Sequence, residues 1–264
     1  MVKSHDAVLD KFKETAKPII EKLTEFIEEF KNKRTPLAII THQNADPDAI
    51  SSASELEKYL EKHKVLVEII ADEDTFPRET KVIVNEIGID IKPVKDFNKD
   101  KYARIILVDA PSISQSNINI KDIKPDLIID HHRDEDPYES TATIITLLMT
   151  VLGFELDKDM ATALYVGLEI DTIGLTSGKF TDFDKLAYKI LAPLLNFELR
   201  IKIIQAGYSP SYLKMLENAI SESKYFFHEG STVISGVGYI EDKQRTDLAK
   251  IANYLLLMDG VEKV

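Results

Sequence analysis

Three short apolar runs, each ending on side chains that bind metals, constrain this chain most. Residues 37–41 lead into His42-Gln-Asn-Ala-Asp46-Pro-Asp48, residues 104–108 into Asp109, and residues 127–129 into Asp130-His131-His132. Short β-branched runs of this kind read as strands buried on both faces, as in a parallel sheet. Residues 48–61 and 79–86 show helical spacing, and 65–70 and 89–94 read as further strands. The alternation predicts an α/β fold, a mostly parallel sheet flanked by helices. In such a sheet the carboxyl ends of the strands form the crevice where ligands bind. One strand ending in Asp is ordinary; three ending in Asp and His make a site.

The rest of the chain frames that core. Residues 6–33 repeat Val8, Leu9, Phe12, Ile19, Ile20, Leu23, Phe26, Ile27 and Phe30 at helical spacing, with Pro18 expected to kink or split the helix. This helix is expected to pack outside the main domain or on a second subunit, so a homodimer is compatible with the sequence. Further helices are predicted at 141–152, 158–171 and 183–191. Pro193 marks a boundary, 197–226 reads as a helical connector, and 232–238, 245–258 and 261–264 read as strand, helix and the start of a strand. The expected organisation is a helical segment (1–34), a metal-binding domain (35–192), a helical connector (193–228) and a partial second α/β domain (229–264), which reads as cut short.

Charge and composition remove several classes. With 33 Lys and Arg against 45 Asp and Glu, the net charge is −12, which disfavours long duplex DNA, whose binding needs phosphate neutralisation. A small phosphorylated substrate stays open because bound divalent cations reverse the local field. The absence of cysteine excludes disulfides, zinc–thiolate sites and a thiol nucleophile. No apolar run approaches the ~20 residues of a spanning helix and no signal-peptide segment is seen, so no membrane partner and a cytoplasmic location are expected.

The candidate residues carry competing readings. Asp46-Pro-Asp48 alone is also a helix cap with an acidic first turn, and Asp109 alone is also a loop cap. Asp130-His131-His132 is a poor choice for core packing, and neutral imidazole is a good ligand for first-row metals. Asp171 closes a helix against the macrodipole, as expected of a position held for function. His5, His63 and His228 lie in unpatterned polar surroundings and read as surface residues. The mixed His and carboxylate set suits two divalent ions, Mn²⁺ best, with Mg²⁺ as the alternative and Zn²⁺ less suited. No Gly-rich phosphate loop, Ser-His-Asp order or GxGxxG is present.

Taken in order, His-x-x-x-Asp-x-Asp, the strand-ending Asp109, Asp-His-His and Gly-x-x-x-Asp171-Thr172 resemble the four motifs of the DHH phosphoesterases, of the RecJ-like and nanoRNase-like kind. The resemblance spans roughly residues 37–191. It implies one metal on His42, Asp46 and Asp109 and a second on Asp48, Asp109, His131 and Asp171, with Asp109 as the bridge. It implies a substrate contact or proton donor at His132, a further substrate contact at Thr172, and support for these from Asp130. Two departures stand out: Pro47 within the first motif, and Ile173 inserted before Gly174. Residues 231–264 resemble the opening of the associated DHHA1 domain, without its Gly-Gly-Gly-His stretch. The implied activity is Mn²⁺-dependent hydrolysis of phosphodiesters in short single-stranded oligonucleotides or small cyclic dinucleotides, by a two-metal mechanism. The alternative is a phosphatase of small anions, acting on pAp, pyrophosphate or polyphosphate. A non-catalytic interaction module of a replication complex is the reading from another class, disfavoured because every ligand position is filled.

Overall fold

The computed structural model describes residues 5–116, 124–133, 137–176, 180–227, 231–240 and 245–264. The chain divides into two compact units, Met1–Ile203 and Ile204–Val264. In the first, strands β1 (Leu37–Ile40), β2 (Val67–Ala71), β3 (Ile91–Pro93), β4 (Ile105–Val108) and β5 (Leu127–Ile129) form one sheet in the order β3-β2-β1-β4-β5, and every neighbouring pair is parallel. β1 and β4 are buried along their whole length, as their unbroken apolar sequences require. From β1 the chain winds outward through β2 and β3, then returns to β4 on the other side. The crevice between the ends of β1 and β4 is therefore a topological switch point, the place where open α/β sheets bind ligands.

Helix α2 (Pro47–Lys62) starts where β1 leaves the sheet. Asp46 is its N-cap, accepting from the Ala49 N–H, and Pro47 supplies the preset φ of a first helical position. Helices α3 (Arg78–Ile87), α4 (Thr141–Val151) and α5 (Lys158–Asp171) all pack against α2, which is buried over most of its length. The N-terminal helix α1 (His5–Phe30) packs against α4, α6 (Asp182–Leu191) and the edge strand β5, which blunts that edge. Pro18 does not split it. Phe12 and Ala16 on one side of the proline and Leu23, Phe26 and Phe30 on the other are all buried, and this packing offsets the lost backbone bond.

A further helix, α7 (Phe197–Ala206), spans the boundary between the units. The second unit holds α8 (Pro210–Ser221), an antiparallel hairpin of β6 (Lys224–Phe227) and β7 (Ser231–Ile234), and α9 (Arg245–Leu256). The expectation of helix through residue 226 is corrected here: Lys-Tyr-Phe-Phe pairs with Ser231–Ile234, and its aromatic run suits a strand. Tyr212, Met215, Ala219, Val233, Ile251 and Leu255 make a small core, and Lys263 bridges to Thr232. No described helix is long and apolar enough to cross a membrane.

Candidate metal centre

The residues that follow β1, β4 and β5 meet the end of α5 at the switch-point crevice. His42 Nε2 lies 3.3 Å from Asp109 Oδ2 and 3.8 Å from Asp46 Oδ1. His131 Nε2 lies 3.4 Å from Asp109 Oδ1, 3.5 Å from Asp171 Oδ2 and 4.0 Å from Asp48 Oδ2. Two sets able to hold a cation result, His42–Asp46–Asp109 and Asp48–His131–Asp171, and a third combines Asp109 with His131 and His132. Asp109 reaches both sides because it adopts a left-handed backbone (φ 56°) directly after β4, while its N–H still donates to the Ile129 carbonyl. Asp and Asn tolerate that region better than other side chains, and Asn44 in the first loop uses it too (φ 60°).

The electrostatics call for a cation. Burial, reinforced by the charges of Asp109 and Asp46, pushes the Asp48 carboxyl well above the usual range. Asp171 is raised likewise, by burial and then by Asp48, Asp46 and Asp109. Among the described residues no Lys or Arg pairs with any of these four acids. His42 makes the point most sharply. Its Nδ1 donates to the Gln43 carbonyl at 2.7 Å, so a neutral ring turns the Nε2 lone pair onto the oxygens of Asp109 and Asp46. Burial disfavours a charge there, but hydrogen bonds to Asp109 and Asp46 outweigh it and push the imidazole up to about 11. A proton or a metal ion must fill that gap. Burial also opposes the charge of Asp46, yet bonds from His42 and from backbone N–H groups hold its carboxyl below the ordinary value. His131 is shifted the other way: burial lowers its pKa, leaving a neutral ring suited to ligation.

Asp130 and His132 pair beside these residues, with His132 Nδ1 also 3.7 Å from Asp109 Oδ1. His132 Nδ1 donates to Asp130 Oδ1 at 2.8 Å and its N–H to Oδ2 at 3.1 Å. That bond, ahead of an opposing burial effect, raises the His132 pKa, and the ring is half-exposed. Thr172, expected as a further substrate contact, is fully buried: its hydroxyl donates to the Leu168 carbonyl at 2.6 Å and accepts from the Leu175 N–H at 3.1 Å, which ties it to the end of α5. The inserted Ile173 sits at φ 52°, followed by Gly174 at 65° and Leu175 at 66°, a costly run for side-chain-bearing residues beside Asp171. His5 is exposed, as expected. His63 is half-buried, its Nδ1 donating to the Tyr59 carbonyl and its ring on Tyr59. His228 lies outside the described residues.

Sequence reasoning passed over two positions. At the first turn of α4, the N–H groups of Thr141 and Ala142 each donate to an Asp48 oxygen at 2.7 Å, a helix N-terminus holding an anion. Gly167 lets α5 approach α2 at the same acid: a Cβ there would stand 2.8 Å from Asp48 Cα. The glycine of the fourth motif was visible in the sequence, but the backbone it faces was not.

The chain is similar to several known proteins. An uncharacterized protein of Methanocaldococcus jannaschii is 31% identical over 241 residues, covering 87% of this chain and 48% of its own length. The chain thus spans about half of that relative. A manganese-dependent inorganic pyrophosphatase of the same organism is 27% identical over 256 residues, covering 86% of this chain and 80% of its own length. The crystal structure of an exopolyphosphatase-related protein from Bacteroides fragilis superposes with a TM-score of 0.71 over 93% of this chain and 78% of that one, at 19% identity, which speaks to the fold. Residues 36–168, half of the chain, match the N-terminal domain of the DHH family, and to that family the chain belongs.

Proposed function

We propose that the chain is a metal-dependent phosphohydrolase working with two divalent cations, Mn²⁺ best, at adjoining sites that share Asp109. Asp109 itself carries the reading. Its Oδ2 faces His42 at 3.3 Å and its Oδ1 faces His131 at 3.4 Å, so one carboxylate serves two separate ligand sets. His42, Asp46 and Asp109 would hold one ion, and Asp48, Asp109, His131 and Asp171 the other. The donor set, with two imidazoles and four carboxylates, fits Mn²⁺, and the manganese-dependent pyrophosphatase relatives support the same choice. When bound, such a pair polarises a phosphoryl oxygen and lowers the pKa of a bound water.

The protein's own groups supply the rest. Hydrolysis joins a water oxygen to phosphorus and breaks the bond from phosphorus to the leaving oxygen, which needs a proton. His132 would give it: Asp130 accepts from its Nδ1–H and favours the charged ring, on a side chain that stays half-exposed. Asp48 and Asp109 are themselves buried, so their carboxylates meet little bulk water.

On substrate, the small-anion reading is favoured by the inorganic pyrophosphatase that aligns with 86% of the chain. The phosphodiester reading rests on the motif resemblance. The test is product analysis with Mn²⁺ on pyrophosphate, pAp, a short single-stranded RNA and a cyclic dinucleotide. Mn²⁺-dependent cleavage of one of them is expected, and its identity decides between the two. Failure on all four, with the chain folded and loaded with Mn²⁺, would sink the proposal.

A further inference from the structure

We infer that Thr141 is a positioning residue for the shared carboxylate, fixing Asp109 through its hydroxyl and Asp48 through its backbone N–H. The inference rests on the metal-centre reading above. Thr141 is the first residue of α4, directly after the N-cap Ser140. A threonine at that place is free to turn its hydroxyl to water. This one is fully buried, and Oγ1 donates to Asp109 Oδ1 at 2.8 Å. The N–H of the same residue donates to Asp48 Oδ2 at 2.7 Å. One residue therefore touches two of the acids assigned to the second ion.

The side on which it acts is specific. Asp109 Oδ1 is the oxygen turned toward His131, whereas Oδ2 is turned toward His42. A donor on Oδ1 fixes the side-chain torsion that decides which oxygen faces which ligand set. Without it, the carboxylate is free to swing, and the alignment toward Asp48, His131 and Asp171 is lost first.

The turn carrying Thr141 is itself anchored. Ser140 Oγ accepts from the Thr143 N–H at 3.1 Å. Thr143 Oγ1 at 2.7 Å and the Glu139 N–H at 3.1 Å both donate to Asp184 Oδ1. Asp184 is fully buried and forms the capping box of α6 with Thr181. A hydrogen-bonded path thus runs from α6 through the start of α4 to both carboxylates. Ser140, Thr141, Thr143 and Asp184 are all buried, so water cannot take over these bonds.

The experiment is a Mn²⁺ titration by calorimetry of the full chain carrying Thr141→Val or Thr141→Ser, with metal-free thermal unfolding as the fold control. Valine keeps the shape and deletes the donor; serine keeps the donor. Removing an outer hydrogen-bond partner of a metal ligand costs about 10–100-fold in affinity. Thr141→Val is expected to lose that much for one of the two ions and to lower kcat at saturating metal, while Thr141→Ser binds both ions nearly as the wild type does. Should valine fail to fold, Thr141→Ala carries the same test. Wild-type affinity for both ions in the valine (or alanine) variant would overturn the inference, and so would a serine variant as defective as valine, since packing would then be the cause. A wild type that takes up no Mn²⁺ would instead refute the metal-centre reading itself.

Discussion

Gly167→Ala separates stability from function at this site. The added Cβ would stand 2.8 Å from Asp48 Cα, with Asp48 N and Oδ1 both at 3.1 Å, against the 3.4 Å at which ordinary contact begins. The nearest atom is backbone, so no rotamer change relieves the clash, and α5 and α2 must separate by about 0.6 Å (3.4 less 2.8). Overpacking of this size costs about 1–3 kcal/mol, while alanine in place of glycine inside a helix returns about 1 kcal/mol. The net loss of stability is therefore about 0–2 kcal/mol, and the fold survives. The centre fares worse. Asp48 is held by two 2.7 Å bonds from the start of α4, and the same shift stretches them and moves the acid away from His131 and Asp171. Misplacement approaching 1 Å costs on the order of 100-fold in rate. Urea unfolding should show the small stability loss, and calorimetry and turnover with Mn²⁺ the large one. A variant within about threefold of wild type in both metal affinity and rate would refute the claim that this close approach sets Asp48.

His131→Ala should weaken Mn²⁺ binding, whereas His132→Ala should leave it intact and lower turnover at saturating metal by about 10²–10⁴-fold; equal losses of metal affinity in the two variants would show the roles misassigned. Glu55, on α2, is fully buried with no hydrogen-bond partner for either oxygen among the described residues, and burial pushes its carboxyl from 4.5 to about 7, with Lys58 opposing and Asp157 adding. Because the raised pKa belongs to the folded state, stability should fall as pH rises from about 4.5 to 7, by up to about 3 kcal/mol. Glu55→Gln should flatten that fall and be the more stable protein above pH 7; parallel stability curves for the two would refute the assignment.

The strand ends were readable because the apolar run and the polar residue that leaves it are adjacent in sequence, and α5 closes on Asp171 as its pattern predicts. Asp46-Pro-Asp48 offered two readings; in the fold Asp46 caps α2, and Asp46 and Asp48 each also stand in a group of side chains that could hold a cation. What could not be read depends on distant partners. Thr141 acquires its place from Asp109, 32 residues away, and from Asp48, 93 residues away, and Gly167 from the same Asp48 backbone. Thr172 carried a motif's position but spends its hydroxyl on its own helix, a local alternative open to any threonine there. The strand Lys224–Phe227 shows the same limit, since its partner Ser231–Ile234 lies further along the chain.

One carboxylate, that of Asp109, is proposed to serve two ions, and this sharing is the centre's defining feature. It is tested most directly by counting the Mn²⁺ bound per chain in the wild type and in Asp109→Asn, a replacement that tolerates the same left-handed backbone at φ 56°. Two ions in the wild type, with tight binding at both sites lost in a folded Asp109→Asn variant and hydrolysis lost with it, is the predicted result. Two ions held by Asp109→Asn as tightly as by the wild type would contradict the account.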